Sequence, residues 1–444
     1  MVEMQELKLK DLGDGLVLRR SCVEDAQRLG DFNGRIHGED AYDTEAVAVW
    51  TRDLLLKDHP TFGKGDYTIV EDTTTGEIVS SMNTISQTWT YEGIPFKVGR
   101  PELVGTDARY RNKGLVREQF RVVHAWSSER GELVQVITGI PFYYRQFGYE
   151  MGLELGGGRV GFAPHVPRLK EGEAEPFRVR PALEADIPWL VKMYQREARR
   201  SMISSVMDEP LFRHEMEKSR ENVNRVDLRV IETPEGRPVG YLAHPGFTWW
   251  GEVVSLMAYR YALDEGESYA AVTPSVIRYL WQTGGEYARE RGREVNGFGF
   301  SLGTEHPVYQ AAASQLPVER KPYAFYVRVA DLPAFLRHIA PALEVRLKGS
   351  ACEGYTGELK IGFYLDGLRL VFERGTLTCA EAWNPREGGE DAAFPNLTFL
   401  QLVFGYRTLA EVRYAYVDCT ANNSATALLN ALFPKKPSHV FSIS

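Results

Sequence analysis

The feature that most constrains the fold is a short sequence pattern that occurs twice. The segment LRRSCVEDAQRL stands near the start of the 444-residue chain, and VRPALEADIPWL stands before its middle. In both copies a short strand ends in an arginine (Arg19, Arg180), an aspartate follows six residues later (Asp25, Asp186), and the periodicity of an amphipathic helix begins. An aspartate in this place is expected to cap free N–H groups of the helix. We therefore predict an internal duplication of a large domain.

The two copies continue in the same order. The first has strand patterns in DYTIVED, EIVSSMNTISQTWTY and PFKVGRPELVGT, a helix from about residue 114 to 130, and a buried strand in LVQVITG. The second has VDLRVIET, RPVGYLAHPG and EVVSLMAY, a helix over about 272–290, and the strand EVNGFGF. Strands followed by a helix and a further strand indicate an α+β fold in which α and β elements pack in layers.

The chain divides further at a linker and at a change of pattern. Residues 163–176, APHVPRLKEGEAEP, combine prolines and charges without apolar periodicity, which is typical of a linker. From about residue 330 the pattern changes to a helix, a strand meander and two apolar-faced helices, which do not repeat the first two units. Because a domain usually has about 100–200 residues, we predict three domains, over residues 1–170, 171–329 and 330–444.

Composition excludes several classes of protein. The hydrophobic fraction of 43% is enough for large cores. No apolar run approaches the ~18 residues of a membrane span. The formal net charge of −8 disfavours binding to nucleic acid. The four cysteines form no CxxC pair and the nine histidines have no HxH or HxxxH spacing, so we predict no metal site. The polar N-terminus lacks a secretory signal, and we expect a cytoplasmic protein.

The stretch VGTDARYRNKGLVREQF, residues 104–120, is the most informative for function. Cationic side chains follow a strand at Arg109, Arg111 and Lys113, and a helix begins at Gly114. A helix start with free N–H groups and nearby cations can bind a phosphate, and glycine lets the phosphate approach the backbone. The residue types alone fit a solvated basic loop with a glycine turn equally well.

This loop resembles the Arg/Gln-x-x-Gly-x-Gly/Ala phosphate loop of the GNAT acetyltransferase superfamily. Here it reads Arg111-Asn112-Lys113-Gly114-Leu115-Val116, with valine at the last position. The segment GIPFYYRQFGYE, residues 139–150, resembles the family segment that follows the fifth strand and ends in Phe-Gly-Tyr. The resemblance implies acetyl-CoA as co-substrate and a set of residues that hold it. These residues are Val104, Thr106, Arg109, Arg111, Asn112, Lys113, Gly114, Leu115 and Val116.

The whole chain resembles the enhanced intracellular survival (Eis) type of GNAT acetyltransferase, which has two tandem GNAT domains and a C-terminal sterol-carrier-protein-like domain. The third unit carries FGYRTLAEVR and the ending LFPKKPSHVFSIS, which suit that domain. The central unit has RYALDEGES where the first unit has its phosphate loop. The resemblance therefore implies that only the first unit binds acetyl-CoA, and that the protein is a homo-oligomer, a hexamer.

The resemblance also implies catalytic residues. Aligning on Tyr-x-x-Phe-Gly-Tyr makes Tyr144 the general acid that protonates the leaving thiolate, and an ordinary tyrosine pKa near 10 keeps it protonated. The carboxylate of Ser444 is implied as the base that takes a proton from the amine. Glu102 is a second candidate base. If the strand PELVGT alternates regularly, Glu102, Val104 and Thr106 share one face.

We therefore predict an acetyl-CoA-dependent N-acetyltransferase in which the amine attacks the thioester directly. The acidic chain favours a cationic acceptor, which would be a primary amine of an aminoglycoside-like or polyamine-like small molecule. The alternative is a noncatalytic acyl-CoA- or lipid-binding protein, because a sterol-carrier-like unit can enclose apolar ligands.

Overall fold

The computed structural model describes residues 4–248 and 253–440, in which helices and sheets form three mixed α/β units. In the first unit, the helix predicted over about 114–130 is present as Leu115–Glu129. The elements of this unit, in chain order, are α1 (Met4–Leu7), β1 (Lys8–Gly13), β2 (Leu16–Arg20), α2 (Ala26–His37), α3 (Ala41–Leu56), β3 (Tyr67–Asp72), β4 (Glu77–Tyr91), β5 (Ile94–Thr106), α4 (Leu115–Glu129), β6 (Val134–Ile137), β7 (Glu150–Leu155) and β8 (Gly158–Phe162).

After the linker, the second unit again has a strand and a helix, then antiparallel strands, a long helix and a further strand, with additional short elements between them. The helix predicted over about 272–290 is present as Tyr269–Glu290. The elements are β9 (Arg178–Pro181), α5 (Ile187–Ala198), β10 (Ile203–Ser205), α6 (Glu209–Glu217), β11 (Val226–Glu232), β12 (Pro238–Pro245), β13 (Ser255–Ala258), β14 (Arg260–Leu263), α7 (Tyr269–Glu290), β15 (Gly297–Phe300), α8 (Val308–Ala311), β16 (Val318–Arg320) and β17 (Tyr323–Val329).

The third unit is a five-stranded sheet with helices packed on it. Its elements are α9 (Leu332–His338), α10 (Ala340–Leu347), β18 (Gly357–Gly362), β19 (Gly367–Glu373), β20 (Thr376–Trp383), β21 (Ala392–Ala393), α11 (Leu400–Val403), α12 (Leu409–Ala415), β22 (Thr420–Ala421) and α13 (Asn423–Leu432). The strand order is β20-β19-β18-β21-β22. Its apolar side chains join those of β4, β6 and β17 in one large core, so the third unit covers one face of the first sheet.

Three strands cross between the first and second units. The first sheet has the order β1-β2-β3-β4-β5-β6-β17-β7, with β10 paired to β4, so β17 and β10 come from beyond the linker. In the second unit, β14-β12-β11-β9 form one sheet and β13-β15-β8-β16 another, in which β8 comes from before the linker. Each unit is therefore completed by a strand of the other. The boundaries at residues 170 and 329 stay predictions. Sheets cross the first boundary, whereas no sheet formed by the described residues crosses the second.

The duplicated arginine and aspartate form the same ion pair in both units, buried in the first and partly buried in the second. Arg19 donates to both carboxylate oxygens of Asp25 at 2.7 Å, and Arg180 donates to both oxygens of Asp186 at 2.7 and 3.0 Å. Neither aspartate caps the following α-helix with its side chain. Each instead accepts a backbone N–H at the start of the 3₁₀ turn before that helix, at 3.0 Å in the first unit and 2.7 Å in the second. The predicted cap is therefore present one turn earlier, on a carboxylate that also binds the arginine.

Candidate functional site

The site lies where two strands of the first sheet separate. β5 is hydrogen-bonded to β4 along most of its length and is paired with β6 at Val98–Val134 and Gly99–Gln135. The β4–β5 register shifts near Leu103, whose φ is +51°, so β5 carries a bulge. Past the bulge, the end of β5 and the segment after β6 border an open cleft of about 800 Å³.

The cleft brings together most of the residues that the sequence predicts for acetyl-CoA binding and catalysis. Those that line it are Val104, Thr106, Arg111, Asn112, Gly114, Leu115, Val116 and Tyr144. Arg109 and Lys113 do not line it. Arg109 instead donates to the carboxylates of Asp107 and Glu77, at 3.1 and 3.0 Å. This arrangement ties the loop to the sheet, and a direct contact of Arg109 with acetyl-CoA stays a prediction.

The start of α4 has the backbone geometry of an anion site. Gly114 is the N-cap with a φ of +77°, and Asn112 also has a positive φ, of +65°. Glycine adopts this conformation without strain, and it leaves the first N–H groups of the helix unobstructed. Arg111 and Lys113 are exposed beside this helix start, while Leu115 is buried and anchors it. The loop can therefore place cations and N–H groups around a phosphate.

Tyr144 lies at the other end of the cleft, in a 3₁₀ helix over Tyr143–Phe147. Its ring is buried against Phe120 and Tyr326, with ring centroids 6.1 and 5.5 Å away. A Cβ at Gly139 would lie 3.4 Å from the Tyr144 hydroxyl, so the hydroxyl sits over the end of β6. Burial raises the pKa of Tyr144, and the neighbouring Glu102 carboxylate acts in the same direction. The phenol therefore stays protonated and can donate a proton.

Two tyrosines of the exchanged strand β17 hold the turn before Tyr144. The Tyr326 hydroxyl accepts a hydrogen bond from the Phe142 N–H and donates to the Ile140 carbonyl. The Tyr323 hydroxyl donates to the Gly139 carbonyl at 3.1 Å. Sequence analysis missed both residues, because they stand more than 180 positions beyond the turn, at the end of the second unit. Only the strand exchange brings them to the site.

The bulge changes the face on which Glu102 lies. Glu102 is opposite Asn83 on β4, and Asn83 is opposite Tyr67 on β3, so these three side chains share a face. Tyr67 packs in the core beneath α2 and α3, whereas Val104 packs with the cluster around α4 and Tyr144. The regular alternation predicted for PELVGT is therefore wrong. Glu102 is 14% exposed and forms an ion pair with Arg100 at 2.5 Å, and its role as a base stays a prediction.

His37, at the end of α2, also lines the cleft, and sequence analysis missed it. A Cβ at Gly105 would lie 3.1 Å from its Nε2, so the imidazole lies against β5 where only glycine leaves room. Burial lowers the pKa of His37, although the Leu103 backbone acts in the opposite direction. The ring is therefore neutral at neutral pH. A single histidine at the end of a helix belongs to no sequence motif, so the sequence could not have identified His37 as a residue of the site.

Ser444 lies outside the described residues, so its implied role is untested. The described part of the tail ends at Val440, which is 5% exposed and belongs to the core that also contains Trp89 and Phe325 of the first sheet. Before it, Lys436 forms an ion pair with Glu92. The tail thus leads from the surface of the third unit into the interior of the molecule.

A strand bulge, diverging strands and an anion-binding helix start define the class of protein as an acyltransferase. Residues 41–152 match the model of the acetyltransferase (GNAT) domain. The chain therefore carries a GNAT acetyltransferase domain, and its enzyme class is N-acetyltransferase. No curated protein sequence matches it significantly.

Solved structures share the fold over nearly the whole chain. Eis1 from Mycobacterium abscessus has a TM-score of 0.61 at 12% identity, covering 97% of this chain and 99% of its own. A GCN5-related N-acetyltransferase from Anabaena variabilis has a TM-score of 0.61 at 13% identity, covering 96% and 98%. A GCN5-related N-acetyltransferase from Kribbella flavida has a TM-score of 0.59 at 17% identity, covering 97% and 98%. At these identities the likeness shows the fold.

Two further observations concern the described residues. None of their helices combines the length and the apolar character that crossing a membrane requires. Among them, no three His, Cys, Asp or Glu side chains are grouped so that they could hold a metal ion.

Proposed function

We propose that the protein transfers the acetyl group of acetyl-CoA to a primary amine of a cationic small molecule. The observation that carries the proposal is the cleft itself, which has an anion site at the start of α4, open backbone on β5, and a protonated Tyr144 at its far end. A CoA molecule needs these three features in succession along its length. Its phosphates need N–H groups, its pantetheine arm needs a strand edge, and its sulfur needs a proton donor.

The groups proposed at the cleft account for the bonds and protons that change in the reaction. The amine nitrogen attacks the thioester carbon, the C–N bond forms, and the carbonyl oxygen gains negative charge that an N–H group of β5 near Val104 stabilises. The C–S bond then breaks and the thiolate takes the proton of the Tyr144 hydroxyl. The proton lost by the amine goes to a base. For that base we propose the carboxylate of Ser444, with Glu102 as the second candidate.

Acidic side chains that follow the cleft-lining end of α2 support a cationic substrate. Glu39 and Asp40 follow His37 in the turn between α2 and α3, and Asp43 lies in the first turn of α3. Burial raises the pKa of Asp43, and the charges of Asp40 and Glu39 add to this effect, whereas Arg291 opposes it. None of the three carboxylates lines the cleft, but they place negative charge next to His37, which does line it, and negative charge attracts an ammonium group.

Tyr144→Phe tests the proposal most directly. We expect kcat to fall about 100-fold, because a general acid contributes about 10²–10⁴-fold. The KM for acetyl-CoA should change little. CoA release is measured with an aminoglycoside and with a polyamine as acceptors. Tyr143→Phe is the matched control, since it removes a hydroxyl from the adjacent residue. Full activity of Tyr144→Phe would remove Tyr144 as the acid.

The base is tested at the chain terminus. Deleting residues 442–444 removes the proposed carboxylate, whereas adding one alanine after Ser444 keeps a carboxylate and displaces it. Both variants should lose most of kcat if Ser444 is the base. Glu102→Gln should then retain activity. Unchanged turnover after the deletion would move the role to Glu102.

A specific cavity favours a second candidate function, the binding of a lipid or an acyl chain by the third unit. A cavity of about 480 Å³ there has a largely apolar lining that includes Leu332, Phe363, Leu368, Phe399 and Leu400. Native mass spectrometry of the purified protein separates the two functions. A bound lipid together with no affinity for CoA would favour this alternative. We also propose that the protein is a hexamer, and the same measurement gives the mass of the assembly.

A further inference from the structure

The second unit contains a cleft built like that of the first. The first cleft is bordered by the end of α2, by β5 and by the segment after β6. In the second unit the end of α5, strand β14 and the segment after β15 border a smaller cavity of about 60 Å³. The strand pairing also corresponds, because β13 is parallel to β15 as β5 is to β6, and β14 is antiparallel to β12 as β5 is to β4.

The chain's own tail segment, Lys436–Val440, lies in this second cleft. The His439 N–H donates to Ser201 Oγ at 3.2 Å, and its Nε2 lies 3.3 Å from the carbonyl oxygen of Tyr259. Tyr259 stands between β13 and β14, where the strand turns away from β15. The tail therefore contacts the backbone that corresponds to the open part of β5, which faces acetyl-CoA in our proposed function.

From the second cleft the tail continues toward the catalytic turn. Val440 belongs to the same buried cluster as Phe325 of β17 and Leu153 of β7, which are paired with each other. The residue after Phe325 is Tyr326, whose hydroxyl holds Phe142 just before Tyr144. His439 thus stands next to a residue of the buried cluster that includes β17, and β17 carries the hydroxyl that holds the Tyr144 turn.

We propose that the second cleft is a docking site for the tail segment, and that His439 is a positioning residue for acyl transfer in the first unit. The proposal rests on the first unit being the catalytic one. In the second unit, a cleft that resembles the proposed acetyl-CoA cleft binds a segment of the chain itself. Docking supports β17 from one side, and β17 fixes the Tyr144 turn on the other.

A disulfide tether tests the proposal. An ideal Cβ at Gly303 lies 3.8 Å from the Cβ of His439, which is the usual separation in a disulfide. His439→Cys alone removes the imidazole, and with Gly303→Cys it allows the tail to be fixed covalently. Gly303→Cys alone controls for strain, because Gly303 has a φ of +78°. His439→Asn keeps an N–H donor for the Tyr259 carbonyl.

We expect His439→Cys to lower kcat about tenfold with little change in the KM for acetyl-CoA, and His439→Asn to retain most of the activity. The oxidised double variant should regain kcat to within about threefold of Gly303→Cys, and reductant should abolish the gain. Equal kcat in the oxidised and reduced forms would overturn the coupling. Failure of the disulfide to form, followed by peptide mass, would overturn the docking.

Amide hydrogen exchange supplies a readout that does not depend on turnover. The segment 143–147 should exchange faster in His439→Cys and return to the parental rate in the oxidised double variant. If the parent protein acetylates no amine, the proposed function fails, whereas this exchange pattern still decides the coupling. Unchanged exchange in all variants would contradict it.

Discussion

The tyrosines around the cleft differ in what their hydroxyl groups contact. The hydroxyls of Tyr326 and Tyr323 are bonded to backbone groups of the turn from Gly139 to Phe142. The ring of Tyr144 is packed among aromatic neighbours, and its hydroxyl lies over Gly139. A buried hydroxyl bonded to backbone holds a structure in place, whereas one that faces a substrate cleft is placed for chemistry.

Replacing Tyr326 by Phe should therefore impair catalysis without removing the acid. The Phe142 N–H loses its acceptor, the turn loosens, and Tyr144 is less well placed. We expect kcat to fall about tenfold, which corresponds to about 1.4 kcal/mol of lost transition-state stabilisation. Steady-state kinetics with acetyl-CoA measures it. Tyr355→Phe, which removes a backbone-bonded hydroxyl in the third unit, is the control and should leave kcat unchanged.

Buried histidines make the folded state sensitive to acid. Burial lowers the pKa of His244 to about 4, while its Nε2 faces the Tyr279 hydroxyl and its Nδ1 faces the Pro245 carbonyl. Above pH 6.5 the ring is neutral in both the folded and the unfolded state, so its titration does not change the free energy of unfolding. As the pH falls from 6.5 toward 4, the unfolded state binds the proton first, and the folded state loses stability.

Urea denaturation at pH 7.5 and pH 5 measures this loss. His244 should account for about 2 kcal/mol of the difference in unfolding free energy between the two pH values. His244→Gln should reduce the pH dependence, although it lowers stability at both values. His338→Gln, which replaces an exposed histidine, is the control variant. An unchanged slope in His244→Gln would show that the ring is not buried in its neutral form.

The residues of the site differ in whether the sequence alone could predict their positions. Local motifs predicted that the loop and Tyr144 lie together, and seven of the nine residues predicted to hold acetyl-CoA line the same cleft as Tyr144. Their roles toward acetyl-CoA stay predictions. The face of the sheet on which Glu102 lies was not predictable, because one extra residue in a bulge reverses the alternation and no residue type indicates a bulge. His37 reaches the cleft only through the packing of α2 on β5.

Among the elements, the exchange of β8 and β17 has the largest effect on the architecture. β17 pairs with β6 and β7 over its whole length, and β8 lies between β15 and β16. The sequence predicted β3 to β6 with α4 in the first copy, and β11 to β13 with α7 and β15 in the second. The sequence did not predict α3 in the first copy, or β10, α6 and β14 in the second. It could not predict which sheet receives each strand, because GRVGF and YAFYVRV are apolar strand patterns that suit either sheet equally.

Cutting the linker should not separate the two halves of the chain. A protease site inserted near Gly172, where the linker is exposed, allows cleavage of the folded protein. The hydrogen-bonded ladders of both exchanged strands remain intact, so the fragments should elute together in native size-exclusion chromatography. They should separate in denaturant. Fragments that elute separately without denaturant would contradict the exchange.

For the whole molecule, the net charge of −8 conceals opposite local charges. Arg111 and Lys113 are exposed beside the start of α4, whereas Glu39 and Asp40 lie in the turn between α2 and α3. The reaction that we propose, which joins an anionic co-substrate to a cationic acceptor, needs opposite charges in different places. The third unit adds the core that covers the first sheet, and it delivers the tail to the second unit.

The exchanged strands also determine the order in which the protein can fold as it is synthesised. The ribosome completes β7 about 170 residues before it completes β17, which has to insert between β6 and β7. At roughly 5–20 residues per second, that interval lasts about 10–30 s. During this time the edges of two hydrophobic strands have no partner, and nascent chains in that state are the ones that chaperones bind. The catalytic turn, which depends on Tyr326, can form only after the second unit has left the ribosome.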